Sequence, residues 1–321
     1  MVGVSGIRAS LIIFAVFLIA AGLALWAVSA EDIWAHIRAI TWVQMAALLA
    51  FSLANYGLRG LRWLIYTRAL GLHMGPFQVL RHYLGGFALT MTPARLGEVV
   101  RMRWIMRETG AALENVAPLV LVDRAGDLAS TGFLLALALL AGTSGIVGGL
   151  PVALVAVIVA LVATRPVLFG GLVTSTYRLL GTRPRIFVRL RRAARALTPF
   201  SAAKVVVPAV LVGGVGWFAE GFAFYLLLGW MGAEVPLWTA VAIFLFAMMT
   251  GGATGLPGGV GGAEAAMVAL LSLQGVPLEI SLPATAIIRL TTLWFAIALG
   301  IIVFPFAEGI AARSRHALEN S

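Results

Sequence analysis

Two stretches of this sequence each combine a helix breaker with a glutamate, and an arginine follows at nearly the same distance. The first reads T-P-A-R-L-G-E and ends at Glu98, and Arg124 follows 26 residues later. The second reads L-P-G-G-V-G-G-A-E and ends at Glu264, and Arg289 follows 25 residues later. A guanidinium group binds phosphate oxygens through paired hydrogen bonds, and a nearby carboxylate can orient it or exchange protons. The duplicated pattern therefore predicts two related anion-binding sites.

The composition places these charged groups in a membrane protein. The chain is 61% hydrophobic and 11% charged, with a mean hydropathy of +1.00, which is typical of integral membrane proteins. Helix breaks and ionised side chains are both costly inside a bilayer, so their joint duplication indicates a site. The absence of cysteine excludes disulfides and thiol catalysis, and the four histidines lack ligand spacing. The glycine-rich run 250–262 lacks the G-K-[ST] ending of a nucleotide-binding loop. Because of the histidine spacing we expect no metal, and because of this missing ending we expect no nucleotide cofactor.

Positive charge is concentrated in one part of the chain. The net charge is +10, and residues 165–204 carry nine basic residues, while no acidic residue lies between Asp127 and Glu220. In a membrane protein, such a run is typical of a cytoplasmic loop that touches anionic headgroups. It contains no aromatic-interleaved nucleic-acid motif, so we expect lipids with anionic headgroups as partners and no nucleic acid. Whether the chain forms a homo-oligomer is left open.

Six segments are long and apolar enough to cross about 30 Å of hydrocarbon. They are residues 10–28, 42–64, 117–141, 148–164, 205–230 and 280–307. The first could instead be a signal peptide, because Arg8 precedes it and Val28-Ser29-Ala30 resembles a cleavage site.

Two further apolar stretches, residues 76–108 and 236–275, are interrupted by Pro/Gly breaks. Half-length runs cannot span, so each stretch is interpreted as a re-entrant hairpin of two half-helices. Two tilted spans joined by a tight turn remain the alternative. The predicted fold class is therefore an all-α polytopic membrane protein with about six transmembrane helices and two re-entrant hairpins.

The distribution of arginines predicts the orientation in the membrane. Basic residues follow the second span, the first hairpin, the fourth span and the last span; they are Arg59, Arg62, Arg68, Arg101, Arg103, Arg107, the run 165–204, Arg313 and Arg315. Placing all of them in the cytoplasm puts both termini inside, with the first hairpin entering from the cytoplasm and the second from outside.

The single membrane domain 1–321 is thus predicted to be an inverted repeat. Repeat one covers about 42–141 and repeat two about 205–307, and a helix with a basic cytoplasmic loop, about 142–204, joins them. Inverted repeats of this kind underlie alternating access in many transporters.

The two glutamate–arginine pairs differ in their sequence surroundings. Glu98 and Glu264 each begin a second half-helix, where an acid could cap the helix or face the lumen. Arg124 has Asp127 one helical turn away and could belong to a self-neutralised cluster. Arg289 lies deep in the last span with no acid nearby, so it needs Glu264 or an anionic ligand as partner.

A carboxylate and an arginine occupy equivalent places in the middle of two spans. Glu220 lies in repeat two, and its counterpart in repeat one is Arg59. The sequence leaves two interpretations open, an ion pair between them across the repeat interface, or a Glu220 carboxylate that handles protons or substrate.

These motifs, together with V-D-R-A-G-D between them and A-I-I-R-L late in the chain, resemble those of the lysylphosphatidylglycerol synthase transmembrane-region family, also called flippase-like proteins. The resemblance covers about residues 10–310. It implies a membrane domain that resembles a lipid translocator, which some members fuse to an aminoacyltransferase domain that we do not find here. The family's motif positions fall on Pro93, Gly97, Glu98, Arg101, Asp123, Arg124, Pro257, Gly258, Glu264 and Arg289. Ala263 departs from the pattern, because many relatives have a basic residue before this glutamate.

We therefore expect a non-enzymatic protein of the bacterial cytoplasmic (inner) membrane that moves an anionic lipid between leaflets. The lipid would be a phospholipid or a polyprenyl-phosphate lipid, with phosphate bound by Arg124 and Arg289. Two alternatives stay open. One is a membrane-embedded transferase or accessory subunit acting on a lipid carrier, and the other is a small-solute transporter.

Overall fold

The computed structural model describes residues 37–92, 96–142, 149–180, 187 and 195–319. Every regular element in these ranges is helical, so the predicted class is confirmed and the chain is an all-α polytopic membrane protein. Three predicted features lie outside the described residues: the first span at residues 10–28, the site residue Pro93, and the part of the basic loop at 181–186 and 188–194.

The helices follow the order that the repeat predicts. The first set is α1 (Trp42–Ala69), α2 (Pro76–Gly86), α3 (Leu96–Thr109), α4 (Leu113–Val116) and α5 (Pro118–Ala141). The connecting set is α6 (Gly149–Thr164) and α7 (Pro166–Leu180). The last set is α8 (Ala203–Trp230), α9 (Leu237–Ala253), α10 (Gly262–Leu273), α11 (Leu278–Arg289) and α12 (Phe295–Glu319). Short 3₁₀ turns follow α2 and precede α10, and a π-helical turn (Leu290–Trp294) joins α11 to α12.

Helices α1 and α8 have the same length and end in the same way. Each has 28 residues. Each is followed by a glycine in the left-handed region, Gly71 with φ 75° and Gly232 with φ 83°, which terminates the helix because glycine adopts this conformation without a steric penalty. A proline then starts the next helix, Pro76 at the first turn of α2 and Pro236 at the N-cap of α9.

The two interrupted stretches form hairpins of short arms. The arms α2, α3, α9 and α10 have 11, 14, 17 and 12 residues. At 1.5 Å per residue they are about 16–26 Å long, which is less than the ~30 Å of a hydrocarbon core. These lengths favour re-entrant half-helices over pairs of complete spans.

Close backbone contacts hold each hairpin shut at equivalent positions. A β-carbon added to Gly97 on α3 would lie 2.1 Å from the Gly86 carbonyl oxygen on α2. In the second hairpin, a β-carbon added to Gly251 on α9 would lie 2.7 Å from the Ala263 β-carbon on α10. Small residues are therefore required where the arms cross.

The repeats are interlocked rather than side by side. Helices α1 and α8 pack against each other along the middle of the molecule. Helix α5 of repeat one packs on α9 of the second hairpin, and α12 of repeat two packs on α2 of the first. The hairpin tips also meet, because a β-carbon added to Gly258 would lie 2.7 Å from the Met91 sulfur. Each hairpin is thus held by the other repeat.

Three described helical stretches are long and apolar enough to cross a membrane, Leu113–Ala141, Ala203–Trp230 and Leu278–Ser314. They match three of the six predicted spans. A fourth is obtained if α6 and α7, bent by 92° relative to each other, count as one broken span. Helix α1 is long enough but less apolar, because it contains polar residues such as Asn55 and Arg59.

Two expectations about the basic residues are wrong in part. Residues 166–180 were predicted within the basic loop, but they form helix α7. Arg59, Arg62 and Arg101 were counted as cytoplasmic surface charges, but all three side chains lie inside the protein. Ion pairs with other helices and aromatic faces compensate their burial, so they give no information about orientation. The inverted orientation of the repeats stays a prediction.

We predict that Gly97→Ala destabilises the protein although alanine favours a helix by up to about 1 kcal/mol over glycine. The added methyl group would overlap the backbone of Gly86, which cannot move aside as a flexible side chain could. Such overpacking costs about 1–3 kcal/mol. Gly214→Ala on α8 is the matched control, because nothing lies within 4 Å of its added β-carbon. Thermal melting in detergent measures both; equal melting temperatures would contradict the hairpin packing.

Candidate functional site

The repeat-two pair joins the start of α10 to the end of α11. Arg289 Nε lies 2.5 Å from Glu264 Oε1, and Arg289 Nη2 donates to the Gly258 carbonyl at 2.8 Å. The other Glu264 oxygen accepts from the Gly261 amide at 2.7 Å and so caps α10. The Arg289 side chain is only 4% exposed and that of Glu264 is 17% exposed. Capping by Glu264 and its pairing with Arg289, which the sequence proposed separately, occur together.

The repeat-one pair has the same geometry in a more open setting. Glu98 is in the first turn of α3, and its Oε1 lies 3.0 Å from Arg124 Nε on α5. The Arg124 guanidinium also lies 3.5 Å from Asp123 and 3.6 Å from Asp127. Its side chain is 33% exposed, against 4% for Arg289. The two pairs therefore differ mainly in access.

Two arginines of α1 extend the repeat-one site into a buried cluster. Arg62 Nη2 donates to Asp123 Oδ1 at 2.6 Å and to Asp127 Oδ1 at 2.8 Å. Arg59 Nη2 donates to Asp127 Oδ2 at 2.7 Å. Arg62 and Asp123 are almost fully buried, so neither charge is stable there without the other. The cluster fixes α1 against α5.

Glu220 lies in the middle of α8 and is 4% exposed. Its ion pair with Arg59, one of the two interpretations left open by the sequence, does not form, because Arg59 pairs with Asp127 instead. Within the described part of the chain, Glu220 has no ion-pair partner within 4 Å. Its neighbour across the repeat interface is the side chain of Asn55 on α1.

Arg101 points back from α3 across Gly86 into an aromatic pocket. Its Nη2 donates to the Tyr83 carbonyl at 2.7 Å, and its guanidinium carbon lies 4.1 Å from the centre of the Tyr83 ring. The rings of Phe87 and Trp63 lie 5.3 and 5.6 Å away. The side chain is buried, and no described carboxylate lies within 4 Å of it. Arg101 is thus a buried cation held by cation–π contacts.

The remaining predicted site residues shape the backbone. Gly97 lets α3 approach α2, as described above. Pro257 begins the 3₁₀ turn before α10, and Gly258 has φ 64°, so its carbonyl is available to Arg289. Gly258 also contacts Met91, which places this turn where the two hairpin tips meet.

Sequence reasoning missed the importance of Arg62 and Asn55, and it paired Asp127 with Arg124 but not with Arg59 or Arg62. A usable signal was present, because Arg59 and Arg62 are three residues apart and Asp123 and Asp127 are four apart. Each pair lies on one helix face and can meet the other across an interface. Because Arg59 and Arg62 were interpreted by the positive-inside rule, their match with the two aspartates of α5 was not considered.

A second set of ion pairs lies at the end of the first hairpin. Glu308 of α12 accepts from Arg107 Nη1 and from the Trp104 indole, at 2.8 and 2.7 Å, and also pairs with Arg103. Glu108 of α3 accepts from Arg81 of α2 at 2.7 Å. Glu308 thereby joins α3 of repeat one to α12 of repeat two.

No group of three or more metal-ligating side chains occurs within the described ranges. The carboxylates of Glu98, Asp123, Asp127 and Glu264 are instead occupied by arginines. This chemistry suits the binding of an anion that competes with those carboxylates for the guanidinium groups.

Comparison with known proteins agrees with this architecture. The sequence pattern of the lysylphosphatidylglycerol synthase TM region family matches residues 10–300. The chain belongs to this family. It is also similar to two UPF0104 membrane proteins of Methanothermobacter thermautotrophicus, at 28% and 25% identity over 293 residues. Each match covers 83% of this chain and 85% of the relative. Both motif pairs lie inside the family match.

We predict that Arg62→Leu lowers the free energy of unfolding by about 3–5 kcal/mol, because it leaves Asp123 and Asp127 buried without this partner. Arg68→Leu is the matched control at the exposed end of α1, with an expected change within about 0.5 kcal/mol. Unfolding in mixed micelles, followed by tryptophan fluorescence, measures both variants. Adding Asp123→Asn to Arg62→Leu should recover part of the loss; further loss in the double variant would contradict the ion pair.

Proposed function

We propose that this protein moves an anionic lipid, a phospholipid or polyprenyl-phosphate lipid, between the leaflets of a bacterial cytoplasmic membrane. The observation that carries the proposal is the duplicated glutamate–arginine pair. In each repeat it connects the start of the second hairpin arm to the following long helix. A one-sided active site has no need of two such pairs, whereas a path with two faces does.

The chemistry of the pairs supports an anionic substrate. An arginine paired with a carboxylate in the membrane cannot lose its charge, so releasing that carboxylate requires another anionic partner. A lipid phosphate can replace Glu98 at Arg124, or Glu264 at Arg289, while the guanidinium stays paired throughout. Such an exchange avoids the several kcal/mol that an unpaired buried charge costs.

The unequal access to the two pairs supports alternation. Arg124 is one-third exposed while Arg289 is nearly closed off, although each pairs through its Nε with the glutamate of its own repeat. The loop after α9 is exposed through residues 252–256, next to the closed pair. We infer that one conformation opens the repeat-one pair and that the opposite conformation opens the repeat-two pair.

Arg101 adds a positive charge that no described carboxylate within 4 Å neutralises. It lies one turn after Glu98 on α3, and Trp63, Tyr83 and Phe87 surround it. In this proposal it contributes attraction for the phosphate along the path from the repeat-one pair.

The orientation belongs to the same proposal. Both termini would be cytoplasmic, with repeat one (42–141) and repeat two (205–307) inverted and the basic run 165–204 facing the anionic cytoplasmic leaflet. The remaining basic residues outside the core, Arg103, Arg107 and Arg313 among them, support this orientation.

We predict that Arg289→Gln slows lipid translocation at least tenfold, because a charge-assisted contact is worth about 1.5–3 kcal/mol. The double variant Glu264→Gln with Arg289→Gln keeps the pair neutral and should be equally slow. Arg313→Gln, exposed on α12, is the matched control. The assay follows a fluorescent anionic phospholipid between leaflets of proteoliposomes. Wild-type speed in a folded Arg289→Gln variant would rule out phosphate binding by Arg289.

The same preparation separates the other candidate functions. Product formed from a labelled donor and a lipid carrier, without leaflet movement, would identify a transferase. Uptake of a small solute that is independent of added anionic lipid would identify a solute transporter. Either result would overturn the proposed lipid translocation.

A further inference from the structure

Glu220 differs from every other acidic residue of the core. Glu98, Asp123, Asp127 and Glu264 each have an arginine nitrogen within 3.0 Å. Glu220 has none within 4 Å in the described ranges and is 4% exposed. Burying an unpaired carboxylate costs far more free energy than burying the neutral acid. Glu220 is therefore the core acid on which a proton is most easily accommodated.

The surroundings of Glu220 come from both repeats. Besides the neighbouring Asn55 side chain, the groups that interact electrostatically with it are Tyr56 and Arg59 from α1, Asp127 from α5 and Arg289 from α11. Helix α9, which also packs on α8, contributes no ionisable side chain. Glu220 thus interacts electrostatically with one arginine of each repeat, at the interface that must rearrange during the proposed alternation.

The charge of the core depends on this one group. The core, meaning the groups around the two glutamate–arginine pairs and the α1–α5 cluster and not the separate ion pairs of Glu108 and Glu308, contains five arginines and five acids: Arg59, Arg62, Arg101, Arg124 and Arg289, with Glu98, Asp123, Asp127, Glu220 and Glu264. These charges balance only when Glu220 is ionised. When Glu220 is protonated, the core has one excess positive charge, which matches a phosphodiester monoanion.

We propose that Glu220 takes up one proton when a phosphodiester lipid binds, so that the proton and the lipid anion cross the membrane as a neutral pair. This inference rests on the proposed function. In the step, a proton from water adds to the Glu220 carboxylate to give the carboxylic acid, and it returns to water when the lipid leaves. A neutral pair avoids moving net charge through the low-dielectric core. By linkage, the bound proton strengthens anion binding and the bound anion strengthens proton binding equally.

Calorimetric titration of detergent-solubilised wild-type protein with short-chain phosphatidylglycerol tests the proton uptake directly. A proton taken up on binding comes from the buffer, and HEPES and Tris have different ionisation enthalpies. The binding enthalpies in the two buffers should therefore differ by the difference between these ionisation enthalpies, multiplied by about one proton. Heats that do not depend on the buffer would overturn the inference. Absence of binding would instead overturn the proposed function. Glycerophosphoglycerol, the same diester without acyl chains, is the control and should not bind. If it bound with the same proton uptake, the inference that the ligand is a lipid would be wrong.

Glu220→Gln imitates the protonated residue and tests the assignment to this side chain. Between about pH 5 and about pH 9, wild-type affinity for phosphatidylglycerol should fall as the pH rises, by up to about tenfold per unit. The variant should bind with an affinity that does not change with pH and without proton uptake. Glu234→Gln, exposed before α9, is the matched control and should follow the wild type. A Glu220→Gln variant that follows the wild type would overturn the role of Glu220.

Discussion

Arginine side chains inside this membrane domain must each keep a partner, because they cannot lose their charge and cannot reach water. This constraint determines which helices lie next to each other. Arg62 requires the two aspartates of α5, so α1 must pack there. Arg289 requires Glu264, so α11 must contact the start of α10. The hydrophobic effect cannot select between helices that are all apolar, whereas these pairs can.

Close packing makes the pairing geometrically possible. A β-carbon on Gly213 of α8 would lie 2.9 Å from Arg62 Nη1, and one on Gly216 would lie 2.6 Å from the Asn55 amide oxygen. Polar groups of α1 therefore lie directly against the backbone of α8, where no side chain intervenes. A larger residue at either glycine would displace the α1 cluster from the repeat interface. The small residues and the buried charges thus form one structural unit.

Much of the architecture follows from local features of the sequence. Long apolar runs predicted three of the described spans, and the Pro/Gly breaks predicted hairpins whose second arms begin with Glu98 and Glu264. The partner of Arg289 was also predicted, since Glu264 is the glutamate of the same motif. These features depend on composition and on spacing along one helix, which a sequence displays directly.

The rest depends on contacts between distant segments. The interpretation of Arg59 and Arg62 as surface charges was wrong because hydropathy cannot distinguish a buried ion pair from a surface charge. The π-helical turn after Arg289 was not foreseen either. It leaves the Thr292 carbonyl to accept from the Tyr56 hydroxyl of α1. A single sequence contains no signal for this contact, because its two residues are 236 positions apart.

The two repeats share a plan but not a charge distribution, and this difference affects how they can move. Repeat one holds α1 and α5 together through Arg59, Arg62 and two aspartates, whereas Ala223 of α8 occupies the place of Arg62. Separating α1 from α5 would expose several buried charges at once, so this pair is the rigid part. The hairpins are joined to the long helices by single glutamate–arginine pairs and by Glu308, contacts that can break one at a time. A substrate anion can compensate for one broken pair, but it cannot compensate for the loss of the α1–α5 cluster. The proposed alternation therefore requires movement of the hairpins against a fixed α1–α5–α8 core.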